Sequence, residues 1–218
     1  MRIPEDIALL DIELRQFTQE RARRTYQALI DAAGQVFLDK GFDHTQTPDI
    51  AAQAKVSVGT FYRYFKDKRA IFLEIVRRHL AQAHRDVLSQ LNRDSFAGMD
   101  HRTAIEGVVR ILLQAVQRDA GAHRLFLEMS LRDEEVAGLR RAFDVEGRRR
   151  LAELIAEICP LELVADPEAT AYVIHTSVVE CALHMAGARG PIPVSHERAS
   201  TALVELITRS LFGIESRG

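Results

Sequence analysis

The stretch Thr47-Pro48-Asp49-Ile50-Ala51-Ala52-Gln53-Ala54-Lys55-Val56-Ser57-Val58-Gly59-Thr60-Phe61-Tyr62-Arg63-Tyr64-Phe65-Lys66-Asp67-Lys68-Arg69 decides the fold. It predicts two short helices joined by a tight turn. Thr47 is the expected N-cap of the first, Pro48 fits the first helical position because it needs no N–H partner, and Asp49 places a negative charge in the first turn. Ser57 is the expected N-cap of the second helix, after a turn of about three residues, which is the helix-turn-helix spacing. The second helix is equipped to lie against DNA. Gly59 costs it roughly 1 kcal/mol relative to Ala, a cost explained if the backbone must come close to a groove. Thr60, Tyr62 and Tyr64 offer hydroxyls for phosphates and base edges, while Phe61 and Phe65 anchor the helix. Asp67 is expected to cap the next helix. Lys68 and Arg69 in its first turn oppose the helix dipole, which makes sense if they face a phosphate.

The run from Thr47 through Ile50-Ala51 and Ala54-Lys55-Val56-Ser57-Val58-Gly59-Thr60-Phe61-Tyr62-Arg63-Tyr64-Phe65 to Lys68 resembles the DNA-binding signature of the tetracycline-repressor (TetR) family of bacterial regulators. The detailed match covers residues 21–71. One departure is Lys55, where that family usually has glycine. Glycine adopts left-handed turn geometry freely, and a lysine there would be strained by roughly 1 kcal/mol while adding a charge that reaches a phosphate. The residues expected to face DNA are Thr47, Lys55, Ser57, Val58, Gly59, Thr60, Tyr62, Tyr64 and Lys68. The resemblance implies a homodimer on a palindromic operator, a repressor released by a small-molecule effector, and two recognition helices roughly 34 Å apart. An activator, or a non-specific architectural DNA-binding protein, is the alternative.

The net charge of −2 over 218 residues hides an uneven distribution. Residues 1–14 carry one Lys/Arg against four acids, 15–70 carry ten against six, and 71–218 carry eighteen against twenty-one. Positive charge is therefore concentrated on the motif, as a reader of phosphates requires. No apolar run approaches the length of a membrane span, and Met1–Asp6 lacks a signal peptide's apolar stretch. Cys159 and Cys181 do not make a disulfide framework, so a reduced, cytoplasmic setting is expected, with both thiols as small core residues.

The periodicity predicts an all-α chain. A helix over 21–40 buries Tyr26, Leu29, Ile30, Ala33, Val36 and Phe37, with Gly41 ending it. Residues 1–18 read as an amphipathic extension. After the motif, helices are expected over about 68–91, 102–118, 121–131, 134–158, 167–188 and 196–212, with Asp133, Asp166 and Ser195 as caps. The expected division is an extension over 1–18, a three-helix DNA-binding domain over 19–67, and a helical ligand-binding and dimerisation domain over 68–218. The last two helices are expected to form the dimer surface, using Ala169, Val173, Cys181, Ala182, Leu203, Val204, Ile207 and Leu211.

Tyr172, Thr176, Glu180 and His184 recur every four residues as a polar stripe on an apolar helix. They line either an effector pocket, with Gln114 and His123 from neighbouring helices, or the dimer interface. Arg148-Arg149-Arg150 reads as a solvated helix face. No phosphate loop, nucleophile elbow, His-Glu-x-x-His or paired-cysteine spacing is present, so neither an enzyme nor a metal or cofactor is expected.

Overall fold

The computed structural model describes residues 20–96, 98–160, 162–190 and 193–213. The extension expected over 1–18 lies outside the described residues. Those residues form nine α-helices and no strand: α1 Glu20–His44, α2 Thr47–Gln53, α3 Val58–Tyr64, α4 Lys68–Asp86, α5 His101–Arg118, α6 Ala120–Ser130, α7 Glu134–Ile158, α8 Pro167–Met185 and α9 His196–Phe212. The chain is all-α, as its periodicity requires. None of these helices is long and apolar enough to cross a membrane.

Two compact units divide the chain. One combines residues up to Ala81 with Arg124–Arg141, and the other combines Gln82–His123 with Ala142–Gly218. In the first, α1 buries the predicted stripe of Tyr26, Leu29, Ile30, Ala33, Val36 and Phe37. Gly41, at φ +76°, breaks the regular helix, and the left-handed geometry suits glycine. Behind it, the Thr45 hydroxyl is fully buried and donates to the Gly41 carbonyl at 2.7 Å. Phe37, Phe42 and Phe72 cluster with ring centroids 5.3–5.5 Å apart, joining α1 to α4.

The start of α2 differs by one residue from expectation. Gln46, not Thr47, is the N-cap, in an extended conformation, with Thr47 and Pro48 as the first two helical residues. The reason is Asp49, whose Oδ2 accepts the Gln46 N–H at 2.9 Å and so fixes the cap from the third helical position. Ser57 caps α3 as expected, accepting from Thr60 N.

In the second unit, α5, α8 and α9 share an apolar core that includes Ile105, Val109, Leu113, Val178, Leu203 and Ile207. Ala182, Leu203, Val204, Ile207 and Leu211, expected on the dimer surface, are instead buried inside this core. Hydrophobic spacing marks a buried face without saying what covers it, and here the covering comes from the same chain. Ala169 and Val173 do stay exposed, beside Tyr172. Cys159 and Cys181 pack against the core, and burial pushes the Cys159 thiol up to about 11.

The arginine run on α7 is not simply solvated. Glu146 is 3% exposed, and its carboxylate accepts from Arg149 at 2.8 and 2.9 Å and from Arg150 at 2.6 Å. A buried carboxylate needs such partners, and two of the three arginines supply them. Their guanidinium groups hold the Glu146 carboxyl below the usual range.

Candidate nucleic-acid interface

Helix α3 has two faces. Phe61 is fully buried and Phe65, its C-cap, nearly so. Tyr26 of α1 stacks on Phe65 with centroids 5.1 Å apart and approaches Tyr64 at 6.0 Å. Tyr64, expected to face DNA, is therefore half-buried with its ring toward α1. The opposite face presents Ser57, Val58, Gly59, Tyr62 and Arg63, all exposed, and Thr60 is half-buried beside them. Tyr62 is 55% exposed, an unusual placement for a large aromatic ring.

Among the described residues, nothing crowds Gly59. A Cβ placed there would meet only Ser57 Oγ, at 3.9 Å. Packing among the described residues would tolerate alanine, the better helix former. Lys55 adopts the left-handed conformation at φ +56°, the one non-glycine among the described residues to do so, and its side chain is exposed. The strain expected from the sequence is present.

Charge is set out selectively over this surface. Arg23 and Arg24 both bond Glu20, and Lys40 pairs with Asp49. Lys55, Arg63 and Lys66 are exposed and engage in no ion pair among the described residues. Arg63 and Lys66 are absent from the expected DNA-facing set, although Arg63 follows Gly59 by four residues on the exposed face of α3 and Lys66 comes just after that helix ends.

Lys68 is a correction. Its ammonium group donates to the carbonyls of Phe42, Asp43 and Thr45 at 2.8, 3.0 and 2.9 Å, and sits 4.8 Å from the centre of the Phe42 ring. An ammonium has three protons, and all three are engaged at the end of α1. Its side chain ties helices together and is not free for a phosphate. Arg69 likewise turns inward, to Asp133 and Glu135. Asp67 caps α4 as expected, accepting from Ala70 N at 2.7 Å.

Residues 29–75 match the family described as bacterial regulatory proteins, tetR family. That segment holds α2, the turn and α3 entire. The DNA-binding segment of the chain is that of the TetR family of bacterial regulators. It is 27% identical over 136 residues to the fatty acid metabolism regulator protein of Bacillus subtilis, covering 62% of this chain and 63% of that one. It spans 47% and 35% of two further curated relatives. A solved structure from Mesorhizobium loti, described as a TetR-family transcriptional regulator, shares the fold at a TM-score of 0.68 with 22% identity, covering 87% of this chain and 98% of that one. AibR, solved with isovaleryl coenzyme A and operator DNA, does so at 0.62 with 17% identity, covering 87% and 98%.

The candidate effector residues all fall in the second unit. Along α8 the four-residue stripe drifts inward: Tyr172 and Thr176 are exposed, whereas Glu180 and His184 are half-buried. Glu180 pairs with Arg189 at 3.0 Å, and Tyr172 lies under the Arg148 guanidinium. Gln114 is exposed on α5. His123 rests its Nδ1 3.1 Å from the Asp119 carbonyl, and burial lowers its pKa.

Proposed function

We propose that the chain is a cytoplasmic, homodimeric, sequence-specific transcriptional regulator. In this reading it represses from a two-fold-symmetric operator and is released by a small apolar or amphipathic molecule. The observation that carries the reading is the outer face of α3, where Gly59, Tyr62 and Arg63 stand exposed with a glycine that no contact among the described residues requires. Ser57, Val58, Gly59, Thr60 and Tyr62 would enter the major groove, while Thr47, Lys55, Arg63 and Lys66 would contact phosphates. One helix pair reads few base pairs, so two-fold pairing supplies the second half-site.

Residues 19–67 would bind DNA and 68–218 would serve ligand and dimer, with 124–141 assisting the DNA-binding side. The exposed Ala169, Tyr172, Val173 and Leu206 of α8 and α9 suit the dimer surface, and Thr176 belongs with them. Glu180, His184, Gln114 and His123 are the candidates left to orient an effector. The named relatives, one concerned with fatty acid metabolism and one solved with an acyl coenzyme A, support an acyl chain as the first class to try.

The test is a titration of purified protein against DNA from upstream of its own gene, with unrelated DNA as competitor, at two salt concentrations. Saturable binding that survives the competitor and is reversed by an acyl coenzyme A supports the reading. Equal affinity for both DNAs, collapsing with salt, would replace it with non-specific binding.

A further inference from the structure

Two adjacent residues of opposite charge, Arg132 and Asp133, occupy the corner between α6 and α7. Each reaches a different part of the seam where α1 ends and α4 begins. Arg132 donates to Asp43 Oδ2 at 2.8 Å and is braced by Glu128 at 3.0 Å. Asp133 accepts both fork nitrogens of Arg69, Nε at Oδ2 and a terminal nitrogen at Oδ1, the latter at 2.8 Å. Glu135 adds a second carboxylate, to Arg69 at 3.0 Å and to Arg77 at 2.6 Å. Between these prongs, Lys68 grips the carbonyls of Phe42, Asp43 and Thr45.

We infer that Asp133 is a positioning residue for the DNA-reading helices, fixing the first turn of α4 and through it the attitude of α3. This inference rests on the reading that α3 meets DNA. A helix of seven residues cannot hold its own direction, and α3 depends on its flanks. One flank is Phe65, stacked on Tyr26. The other is α4, whose Arg69 lies four residues beyond Phe65 and is held from a point sixty-four residues further along the chain.

Exposed ion pairs generally contribute little, but this one differs in two ways. It is bidentate, which fixes geometry as well as charge. The Asp133 side chain is also only 11% exposed, because the same carboxylate caps α7 by accepting from Glu135 N at 3.0 Å and Val136 N at 3.3 Å. The corner thus joins the start of α7 and the start of α4 through one carboxylate. A change in α7 that turns this carboxylate would be felt at Arg69 at once.

Asp133→Asn separates the clasp from the cap, since asparagine caps helices as well as aspartate does but offers Arg69 a single neutral acceptor. Arg69→Lys removes the fork and keeps the charge. Both full-length variants should be compared with wild type on a duplex that wild type has selected from a random library. Amide exchange over residues 58–70 should be followed in the free proteins, with melting temperature recorded alongside. Each variant should bind roughly tenfold more weakly, with an unchanged salt slope because the phosphate contacts remain, and should exchange faster over 58–70. Wild-type affinity and wild-type exchange in both variants would overturn the inference, as would a drop in melting temperature with affinity and exchange unaltered. If wild type selects no duplex, the reading of α3 fails, and the exchange comparison alone then decides the clasp.

Discussion

The imidazole of His175 lies against the backbone of Gly147, so close that a Cβ added at residue 147 would stand 2.9 Å from Nε2. Leu88 Cδ2 closes the same space at 3.4 Å. Gly147→Ala should therefore lower stability by about 1–2 kcal/mol, although alanine gains helix propensity. With His175→Ala in place the clash is gone, and Gly147→Ala should then raise stability by about 1 kcal/mol. Urea denaturation of the four proteins checks the reversal of sign.

The same contact has a pH signature. Burial, with the nearby Arg148 charge second, pulls His175 down to about 4 from the ordinary 6.5. In the unfolded chain the imidazole takes its proton first, so stability should fall as pH drops from 6.5 toward 4. His84 and His123, lowered for the same first cause, titrate in the same direction. Replacing His175 with Gln should flatten the loss by on the order of 1–3 kcal/mol, measured as unfolding free energy between pH 7 and 4.5. An unchanged slope would show that the imidazole is already solvated.

Lys55 sets stability against binding. Lys55→Gly should relieve the φ +56° strain and stabilise the protein by about 0.5–1 kcal/mol. The same change should weaken DNA binding and reduce the slope of log K against log salt by about 0.9, one phosphate contact's worth. Thermal melts and salt-dependent titrations read the two effects separately.

Glu146 is held by Arg149 and Arg150 while itself nearly free of water. Glu146→Gln removes the charge but not the volume and should destabilise by about 1–3 kcal/mol, since Arg150 loses its carboxylate partner and Arg149 keeps only the exposed Glu153. Arg149→Ala alone should cost less, because Arg150 remains. Chemical denaturation of both variants ranks them.

What the sequence discloses follows from the range of its signals. Ser57, Asp67, Asp133, Asp166 and Ser195 are helix caps whose partners lie three residues away, and all five are found as such. The Lys55 turn is equally local. Thr47 misleads by one position because Asp49 accepts the Gln46 N–H and so fixes the cap one residue earlier. Long-range partners leave no such trace. Nothing near Lys68 foretells that its ammonium will bond the carbonyls of Phe42, Asp43 and Thr45. Nothing in the arginine run of α7 singles out Glu146 as a buried carboxylate. The aliphatic positions of α9 announce burial, and only the fold shows that Leu203 and Ile207 are covered by their own chain.

The most direct test of the central claim is the affinity of wild type and Tyr62→Ala for the duplex that wild type selects, each against a scrambled duplex of equal length. Tyr62 is exposed, and its one ring contact among the described residues is an edge contact with Phe61, so the variant should fold as wild type does. Wild type should prefer the selected duplex, and Tyr62→Ala should lose about 1–3 kcal/mol of that preference. A Tyr62→Ala protein that binds the selected duplex as tightly and as selectively as wild type would contradict the assignment of α3 to DNA.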